Sequence, residues 1–323
     1  MNLGASYSEN NDDRYIFIQE DNMNFNVPSF DNLLQFRANF SKSLFSNSLL
    51  RLGLHFFDQN NNYIQYRYNQ DDELPYDDEE KNIDELLSTG FTEFDIKLSR
   101  NIAARLGFRF EYSELLNKNN FAPRFSFAYK LGAYDQLAYA YGEFYQTPDL
   151  GFDQWYRQVA PIYDSKNLNL DFERASHHIL NYQWVKRNQV FRVEFYDKDY
   201  TNLITIGENL ILDNSGYGYA KGIDVFWRDN KHTFENIDFW LSYSYLDTKR
   251  KYREYPDLLT PSFAAEHVLS LIYKQMFEVK ESQFQFSMGY TFASGRPYYN
   301  KFNNFEKGMT DNYQAFNIGG SII

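Results

Sequence analysis

The sequence predicts an all-β protein, an antiparallel transmembrane β-barrel of the outer-membrane type. Three observations predict this fold class: apolar residues recur with a period of two, the segments that carry the period are long, and the connections between them alternate in length. In one segment Phe284, Phe286, Met288 and Tyr290 alternate with small or polar residues, which gives a strand one apolar face. No uninterrupted apolar run reaches the roughly 18 residues of a transmembrane helix.

About fourteen segments carry this pattern. Many of them exceed the usual strand length of about 5 to 6 residues and approach the roughly 9 to 11 residues that a tilted strand needs to cross a bilayer. In chain order they lie near residues 2–8, 32–42, 48–58, 91–100, 103–113, 122–131, 135–146, 175–186, 189–199, 217–228, 237–247, 266–275, 282–293 and 313–323.

The connections supply a second, independent signal. Short joins are expected around residues 43–47, 100–102, 132–134, 186–188, 229–235 and 275–281. Long polar connections are expected at residues 9–31, 59–90, 147–174, 200–216, 248–265 and 294–312, with a shorter one at 114–121. Transmembrane β-barrels have short periplasmic turns and longer extracellular loops, so the alternation favours a location in the outer membrane, in contact with its lipid.

The alternation also assigns side chains to two faces. Phe, Leu and Ile are expected to face lipid. The residues expected to line the lumen are Arg37, Arg51, Arg105, Arg109, Arg124, Arg192, Glu111, Glu194 and Asp224. The aromatic residues expected at the membrane interfaces are Tyr112, Tyr129, Tyr145, Trp184, Trp227, Tyr245 and Tyr273.

Composition excludes several classes of protein and of partner. The chain has 32 Lys and Arg against 44 Asp and Glu, a net charge of −12, whereas phosphate binding needs a basic surface. No nucleic-acid partner is therefore expected. An aromatic content of 20% argues against disorder, and the absence of Cys excludes a disulfide scaffold.

The motifs for catalysis, cofactors and metals are weak, and no such site is predicted. The acidic run at residues 71–80 lacks the spacing of a calcium loop and predicts a solvated segment. The motif GYGYAKG at residues 216–222 leads into a strand rather than a helix, so its glycines are expected to be small lumen-facing residues. Gly295 and Pro297 predict a turn at the end of a strand. The five histidines lack metal-ligand spacing: they are His55, His177, His178, His232 and His267.

The candidate ligand-binding residues are Trp155, Tyr156 and Arg157, which lie in the long connection 147–174. Aromatic residues and Arg dominate binding hot spots, and this connection is expected outside the cell. We therefore expect these three residues to contact an extracellular ligand. The alternative is a loop that packs on its neighbours.

Five stretches carry a family resemblance: NNFAPRFSFAYKLGAYDQLAYAYGEFYQTPD ending at Asp149, ERASHHILNYQWVKRNQVFRVEFYDKDYTNLI ending at Ile204, NSGYGYAKGIDVFWRD from Asn214, FWLSYSYLDTKRKYREYP from Phe239 and FASGRPYYN from Phe292. In this order and spacing they resemble the C-terminal half of the TonB-dependent receptor barrel, particularly of the Bacteroidota type. The first hundred residues resemble the family in strand pattern alone.

The resemblance implies energy-coupled import. In that family a barrel of about 22 strands encloses an N-terminal plug, and an inner-membrane complex pulls on the plug to drive uptake of an iron chelate, cobalamin, saccharide or peptide. Residues 1–323 are then expected to form a single, partial barrel region without the signal peptide, the plug and the last strands. The alternatives are a stand-alone barrel acting as a passive pore or adhesin, or an outer-membrane hydrolase. The last lacks a recognisable nucleophile spacing, so the chain is expected not to be an enzyme.

Overall fold

A computed structural model describes residues 1–18, 23–45, 47–69, 77–148, 169–207, 212–230, 233, 235–280, 282–300, 303 and 305–322. Among these residues, no helix is long and apolar enough to span a membrane. The strands are β1 (Asn2–Ile18), β2 (Met23–Leu44), β3 (Ser48–Asn69), β4 (Asp77–Lys97), β5 (Ile102–Ser113), β6 (Lys118–Lys130), β7 (Asp135–Gln146), β8 (Glu173–Lys186), β9 (Gln189–Ile206), β10 (Leu212–Asn230), β11 (Ile237–Lys251), β12 (His267–Val279), β13 (Ser282–Ala293), β14 (Pro297–Asn300), β15 (Glu306–Met309) and β16 (Tyr313–Ile322).

Fourteen of these strands form one antiparallel sheet, which confirms the predicted fold class. Strands β1 to β13 follow one another in the sheet in chain order, and β16 pairs with β13. Strands β14 and β15 form a separate two-stranded hairpin within the connection between β13 and β16. Each strand of the large sheet therefore pairs with its neighbour in sequence, the meander order of antiparallel barrels.

Several segments predicted as long connections are strands instead. The β1–β2 ladder runs without interruption from Asn2 paired with Asn39 to Ile18 paired with Met23, so the predicted connection 9–31 is wrong for most of its length. Strands β3, β4, β9 and β10 likewise extend into the predicted connections 59–90 and 200–216. Ladder hydrogen bonds join backbone groups and need no apolar side chain, so pairing continues where the apolar pattern ends.

The contacts divide the chain into two compact units. Unit 1 comprises residues 1–94, 107–122 and 149–172, and unit 2 comprises residues 95–106, 123–148 and 173–323. In unit 1 the most buried apolar residues include Ile83, Leu170 and Phe172, and the buried polar residues include Glu111 and Ser113. Glu111 accepts hydrogen bonds from Arg109 Nε at 2.5 Å and from Asn120 Nδ2 at 3.0 Å.

The apolar side of the strands is the exposed side. On β3 in unit 1, Leu52, Leu54 and Phe56 are 41%, 56% and 40% exposed, while Gly53 between them is buried. On β9 in unit 2, Phe195 is 47% exposed. A water-soluble sheet buries such a face, whereas a sheet in a membrane presents it to lipid. We call the side that carries Leu54 and Phe195 the apolar face and the opposite side the polar face.

The polar face carries the charged residues that were predicted to line the lumen, and several of them are paired. Arg51 Nη1 lies 3.4 Å from Glu93 Oε2 in unit 1, and Asn181 Nδ2 donates to Glu194 at 3.3 Å in unit 2. Arg124 and Arg192 lie over the rings of Phe144 and Phe226, at 4.7 Å and 5.8 Å from the ring centroids. Ion pairs and guanidinium groups stacked on aromatic rings keep these charges stabilised on the polar face.

The predicted aromatic residues lie on the apolar face. In unit 2, Trp227 is opposite Leu241 near the short turns, and Tyr245 is opposite Ile223 farther along the strands. Tyr145 differs, because its partner is Arg174 and its hydroxyl donates to Glu143 at 2.9 Å. It therefore lies beyond the apolar band rather than at its edge.

Candidate functional site

A row of three residues on the polar face of unit 2 positions an arginine near the long-connection ends of the strands. Tyr200 on β9, Gly218 on β10 and Arg250 on β11 are register partners. Because Gly218 has no side chain, Arg250 extends across β10, and its guanidinium carbon lies 4.2 Å from the centroid of the Tyr200 ring. A Cβ atom at position 218 would lie 2.8 Å from Arg250 Cγ and 2.5 Å from the Lys249 carbonyl oxygen.

Two further rings surround the same guanidinium group. Its carbon lies 5.6 Å from the Phe263 ring centroid and 6.0 Å from that of Tyr252. We call Arg250, Tyr200, Tyr252 and Phe263 the Arg250 cluster. Phe263 is 54% exposed, so the cluster is open to solvent on one side. Aromatic rings within about 6 Å stabilise a cation without neutralising its charge.

Among the described residues, the charge of Arg250 has no acidic partner. Its Nε is buried without a hydrogen-bond acceptor, and no carboxylate among the described residues forms an ion pair with it. By contrast, Arg109 and Arg174 each pair with a glutamate, at 2.5 Å and 2.6 Å. An unpaired guanidinium group held between aromatic rings is a ready binding group for an anion.

The segment between β11 and β12 is held in place by backbone hydrogen bonds. Arg250 and Leu259 exchange two of them, at 2.8 Å and 3.1 Å. Arg253 N donates to the Ile204 carbonyl at 2.6 Å, and Ile206 N donates to the Arg253 carbonyl at 2.9 Å. The long polar connection predicted at 248–265 is therefore only partly correct, because β11 continues to Lys251 and the segment after it is anchored to the end of β9.

Beside the Arg250 cluster, the buried Tyr255 and the half-buried Tyr252 and Tyr299 join this segment to the β14–β15 hairpin. The Tyr255 ring lies 5.1 Å from that of Tyr252 and 5.5 Å from that of Tyr299, whose hydroxyl donates to the Thr260 carbonyl at 3.0 Å. Burial, followed by the proximity of Tyr255, raises the pKa of Tyr252 and of Tyr299 above that of a free tyrosine. These phenols therefore stay neutral at physiological pH.

The glycines of GYGYAKG play the predicted small-residue role. Gly218 and Gly222 both lie on the polar face, where larger neighbours cover them. A Cβ atom at Gly222 would overlap the hydroxyl end of Tyr196 and the Tyr245 carbonyl oxygen. The expectation that this motif is not a phosphate cradle is consistent with its position inside β10.

The other candidate residues have varied outcomes. Trp155, Tyr156 and Arg157 lie outside the described residues, as does the 71–76 part of the acidic run. The turn predicted at Gly295 is not observed: residues 294–296 join β13 directly to β14, and Gly295 N donates to Asn312 Oδ1 at 2.8 Å. Within the described ranges, no three His, Asp or Glu side chains lie together as a metal site would require.

Arg250 and Phe263 were not among the residues predicted from the sequence. The available signal was the short glycine-rich stretch of β10, which predicts that neighbouring side chains fold over it. The neighbours themselves depend on the register of β9, β10 and β11, which the sequence pattern does not fix.

Comparison with solved structures identifies the fold. The ferric yersiniabactin uptake receptor FyuA from Yersinia pestis matches with a TM-score of 0.76 at 9% identity, over 98% of this chain and 50% of the receptor. The ferric citrate transporter FecA in its unliganded form matches with a TM-score of 0.75 at 13% identity, over 97% of this chain and 50% of the transporter. The ferric-catecholate import receptor Fiu from E. coli K12 matches with a TM-score of 0.67 at 11% identity, over 97% of this chain and 54% of the receptor. The chain thus spans about half the length of these structures.

Sequence comparison identifies the family. No curated protein sequence matches this chain. The family model described as "TonB dependent receptor-like, beta-barrel" matches residues 1–322, which is nearly the whole chain and includes the first hundred residues. The chain therefore belongs to the TonB-dependent receptor β-barrel family of the outer membrane, whose members are receptors and transporters rather than enzymes.

Proposed function

We propose that this chain forms the ligand-selecting barrel region of a receptor for energy-coupled uptake of an anionic nutrient chelate across the outer membrane. The observation that carries this proposal is the unpaired guanidinium group of Arg250, held among aromatic rings beside the long connections. Long connections face the outside of the cell in outer-membrane barrels, so an anion arriving from outside meets this cluster.

The chemistry of the cluster favours an anion with a flat or apolar part. The guanidinium group offers planar, bidentate hydrogen bonds to carboxylate or similar oxygens, and Phe263 and Tyr252 offer ring surfaces to the remainder. Hydrogen bonds to a charged group contribute about 1.5 to 3 kcal/mol. The names of the similar structures include receptors for ferric citrate and ferric yersiniabactin, which supports an iron chelate as the first class to test.

Energy coupling is part of the same proposal. The nutrient would move through the whole receptor when an inner-membrane complex acts on a plug outside this chain. Membership of the family supports this role, and the named ferric uptake receptors are similar over half of their length. The barrel region then contributes ligand selection and the lipid-embedded wall, while the driving force comes from the partner complex.

The direct test is ligand binding to the full-length protein that carries this chain. Ferric citrate, an anionic chelate, would be titrated against the wild type, Arg250→Gln and Lys249→Gln. Lys249 is the matched control because it is adjacent in β11 and lies on the apolar face. Loss of one charged hydrogen-bonding group is expected to weaken binding about 10-fold to 100-fold in Arg250→Gln alone. Equal affinity in all three proteins would contradict the assignment of Arg250, and tighter binding of a neutral ligand would contradict the anionic class.

We further propose that Trp155, Tyr156 and Arg157 contact the ligand from the connection 147–174. The support is the residue type, since aromatics and Arg dominate hot spots in interfaces. Alanine at all three positions is expected to weaken binding with no change in unfolding free energy. A triple variant with wild-type affinity would contradict this assignment and leave the Arg250 proposal unaffected.

A further inference from the structure

The rings of Tyr252 and Phe263 that lie beside Arg250 belong to the irregular segment 252–264, which follows β11. Phe263 is more than half exposed, so its own packing does little to hold it near the guanidinium group. Leu259 exchanges two backbone hydrogen bonds with Arg250 and fixes the middle of the segment. The position of Phe263, farther along the segment, is therefore set by contacts beyond Leu259.

Those contacts come from the β14–β15 hairpin. The Tyr299 hydroxyl on β14 donates to the Thr260 carbonyl at 3.0 Å, immediately before the buried Pro261. A turn then closes through the hydrogen bond from Ala264 N to the Pro261 carbonyl at 2.9 Å, and this turn contains Phe263. The hairpin thus holds the point at which the turn that carries Phe263 begins.

The ring of Tyr255 is the central contact between the segment and the hairpin. Tyr255 is buried, and its ring centroid lies 5.1 Å from that of Tyr252 in the same segment. In the hairpin it lies 5.5 Å from the Tyr299 ring and 6.4 Å from the Phe305 ring. All three pairs are edge-to-face, an arrangement that packed aromatic rings prefer. Tyr255 is not a member of the Arg250 cluster, so it supports the cluster through Tyr252 and the hairpin.

The hairpin is itself anchored at its base. Thr310 N donates to the Arg296 carbonyl and Arg296 N donates to Thr310 Oγ1, both at 2.9 Å. Ser294 N donates to the His267 carbonyl at 2.9 Å, and His267 N donates to Ser294 Oγ at 3.0 Å. These bonds tie the hairpin to the ends of β12 and β13. A support that is fixed to the sheet can hold the segment 252–264 in place, because local opening requires these hydrogen bonds to break.

We propose that the β14–β15 hairpin preorganises the anion site, with Tyr255 and Tyr299 as positioning residues that hold Tyr252 and Phe263 beside Arg250 before the ligand arrives. This inference rests on the proposed function, because the affinity that it explains is that of the Arg250 cluster for an anion. Side chains that become ordered only on binding lower the affinity, whereas side chains already in place do not. The two phenols therefore contribute to anion affinity although neither carries a charge.

The test is a titration of ferric citrate against the full-length protein as wild type, Tyr255→Leu and Tyr255→Phe. Loss of the ring is expected to weaken binding about 5-fold or more, because two rings must then be ordered on binding, at roughly 2-fold or more each. Tyr255→Phe keeps the ring and is expected to bind like the wild type. Tyr298→Leu is the matched control, since Tyr298 is adjacent on β14, is exposed and packs on Gly308. Wild-type affinity in Tyr255→Leu, or an equal loss in Tyr298→Leu, would overturn the proposal.

A double-mutant cycle separates positioning from a general loss of structure. In Arg250→Gln, the further change Tyr255→Leu is expected to weaken binding by less than about 2-fold, since the rings no longer have a guanidinium group to hold. The same factor in both backgrounds would identify a purely structural effect and overturn the proposal. Should Tyr255→Leu not fold, as judged by heat-modifiable gel mobility, Tyr299→Phe takes its place in the cycle. Loss of its hydrogen bond is expected to weaken binding about 2-fold to 10-fold, and again only where Arg250 is present.

Failure of this inference differs from failure of the proposed function. Wild-type affinity in Arg250→Gln would contradict the proposed function, and the positioning role with it. Loss of affinity in Arg250→Gln with none in Tyr255→Leu would overturn the positioning role alone. Amide exchange without ligand is an independent readout: exchange at residues 252–264 is expected to accelerate in Tyr255→Leu and not in Tyr298→Leu. Unchanged exchange in Tyr255→Leu would also overturn the proposal.

Discussion

An arginine placed on the apolar face at Leu54 tests whether that face meets lipid. Leu54 is 56% exposed and lies within the apolar stretch of β3, with Leu52 and Phe56 on the same face. For a side chain exposed to water to this extent, Leu54→Arg would change the free energy of unfolding by only about 0.5 kcal/mol. On a lipid-facing strand, Arg near the bilayer midplane costs about 2 to 4 kcal/mol.

The structure favours the second value. A penalty of about 2 to 4 kcal/mol corresponds to a roughly 30-fold to 900-fold shift of the unfolding equilibrium. The assay is guanidinium unfolding of the full-length protein in phospholipid vesicles, followed by tryptophan fluorescence. Leu54→Gln measures the loss of apolar contact without the charge, so the difference between the two variants isolates the charge.

A second control tests depth. Asp58 lies on the same face of β3, four residues farther along and past Phe56, which ends the apolar run that begins at Leu50. Asp58→Arg is expected to cost about 0 to 1 kcal/mol, because the penalty declines toward the membrane interface. Equal effects of Leu54→Arg, Leu54→Gln and Asp58→Arg would refute the assignment of the apolar face to lipid.

Three further predictions concern unit 1 and the strand tips. Gly53→Ala is expected to lower the free energy of unfolding by about 1 to 3 kcal/mol, because the new Cβ would overlap the Phe91 ring. Gly289→Ala is the neutral control in the same unfolding assay, since the nearest atom to its new Cβ would be 3.9 Å away. Arg109→Met leaves the buried Glu111 carboxylate without its cation and is expected to lower the free energy of unfolding by about 3 to 5 kcal/mol. Arg105→Met is the control, with an expected loss of at most about 1 kcal/mol, because its ion pair with Asp95 is exposed. Similar losses in the two variants would contradict this ranking. Burial raises the pKa of Asp213, but hydrogen bonds from Thr205 and Ser215 outweigh this effect and hold the pKa below its ordinary value. The stability that this group contributes is therefore present above the unfolded pKa and is lost as pH falls through the folded pKa. Amide exchange at the β9–β10 tip should accordingly accelerate in acid in the wild type and not in Asp213→Asn.

The sequence predicted the strands and their faces because both follow from local alternation. Adjacent His177 and His178 illustrate this alternation: their register partners are Gly142 and Tyr141, and the two side chains lie on opposite faces of the sheet. The number of strands in the large sheet was also predictable, since each segment carries its own period-two signal.

The strand ends and the binding cluster were not predictable from local pattern. Pairing beyond the apolar band, as between Glu9 and Asn32, depends on backbone hydrogen bonds that leave no apolar signature. Strands β14 and β15 have only four residues each, too few to show a period. Arg250 meets Tyr200 because Gly218 separates them in the register, which pairs Gly218 with residues 18 positions before it and 32 positions after it in the chain.

Uptake of labelled ferric citrate by cells that carry the full-length protein tests the proposed function most directly. Accumulation would be measured in the wild type with and without a protonophore, and in Arg250→Gln. Energy-coupled uptake through an anion-selecting barrel predicts that the protonophore abolishes accumulation and that Arg250→Gln reduces it about 10-fold or more at low ligand concentration. Accumulation that persists with the protonophore and is equal in Arg250→Gln would contradict the account and identify a passive pore.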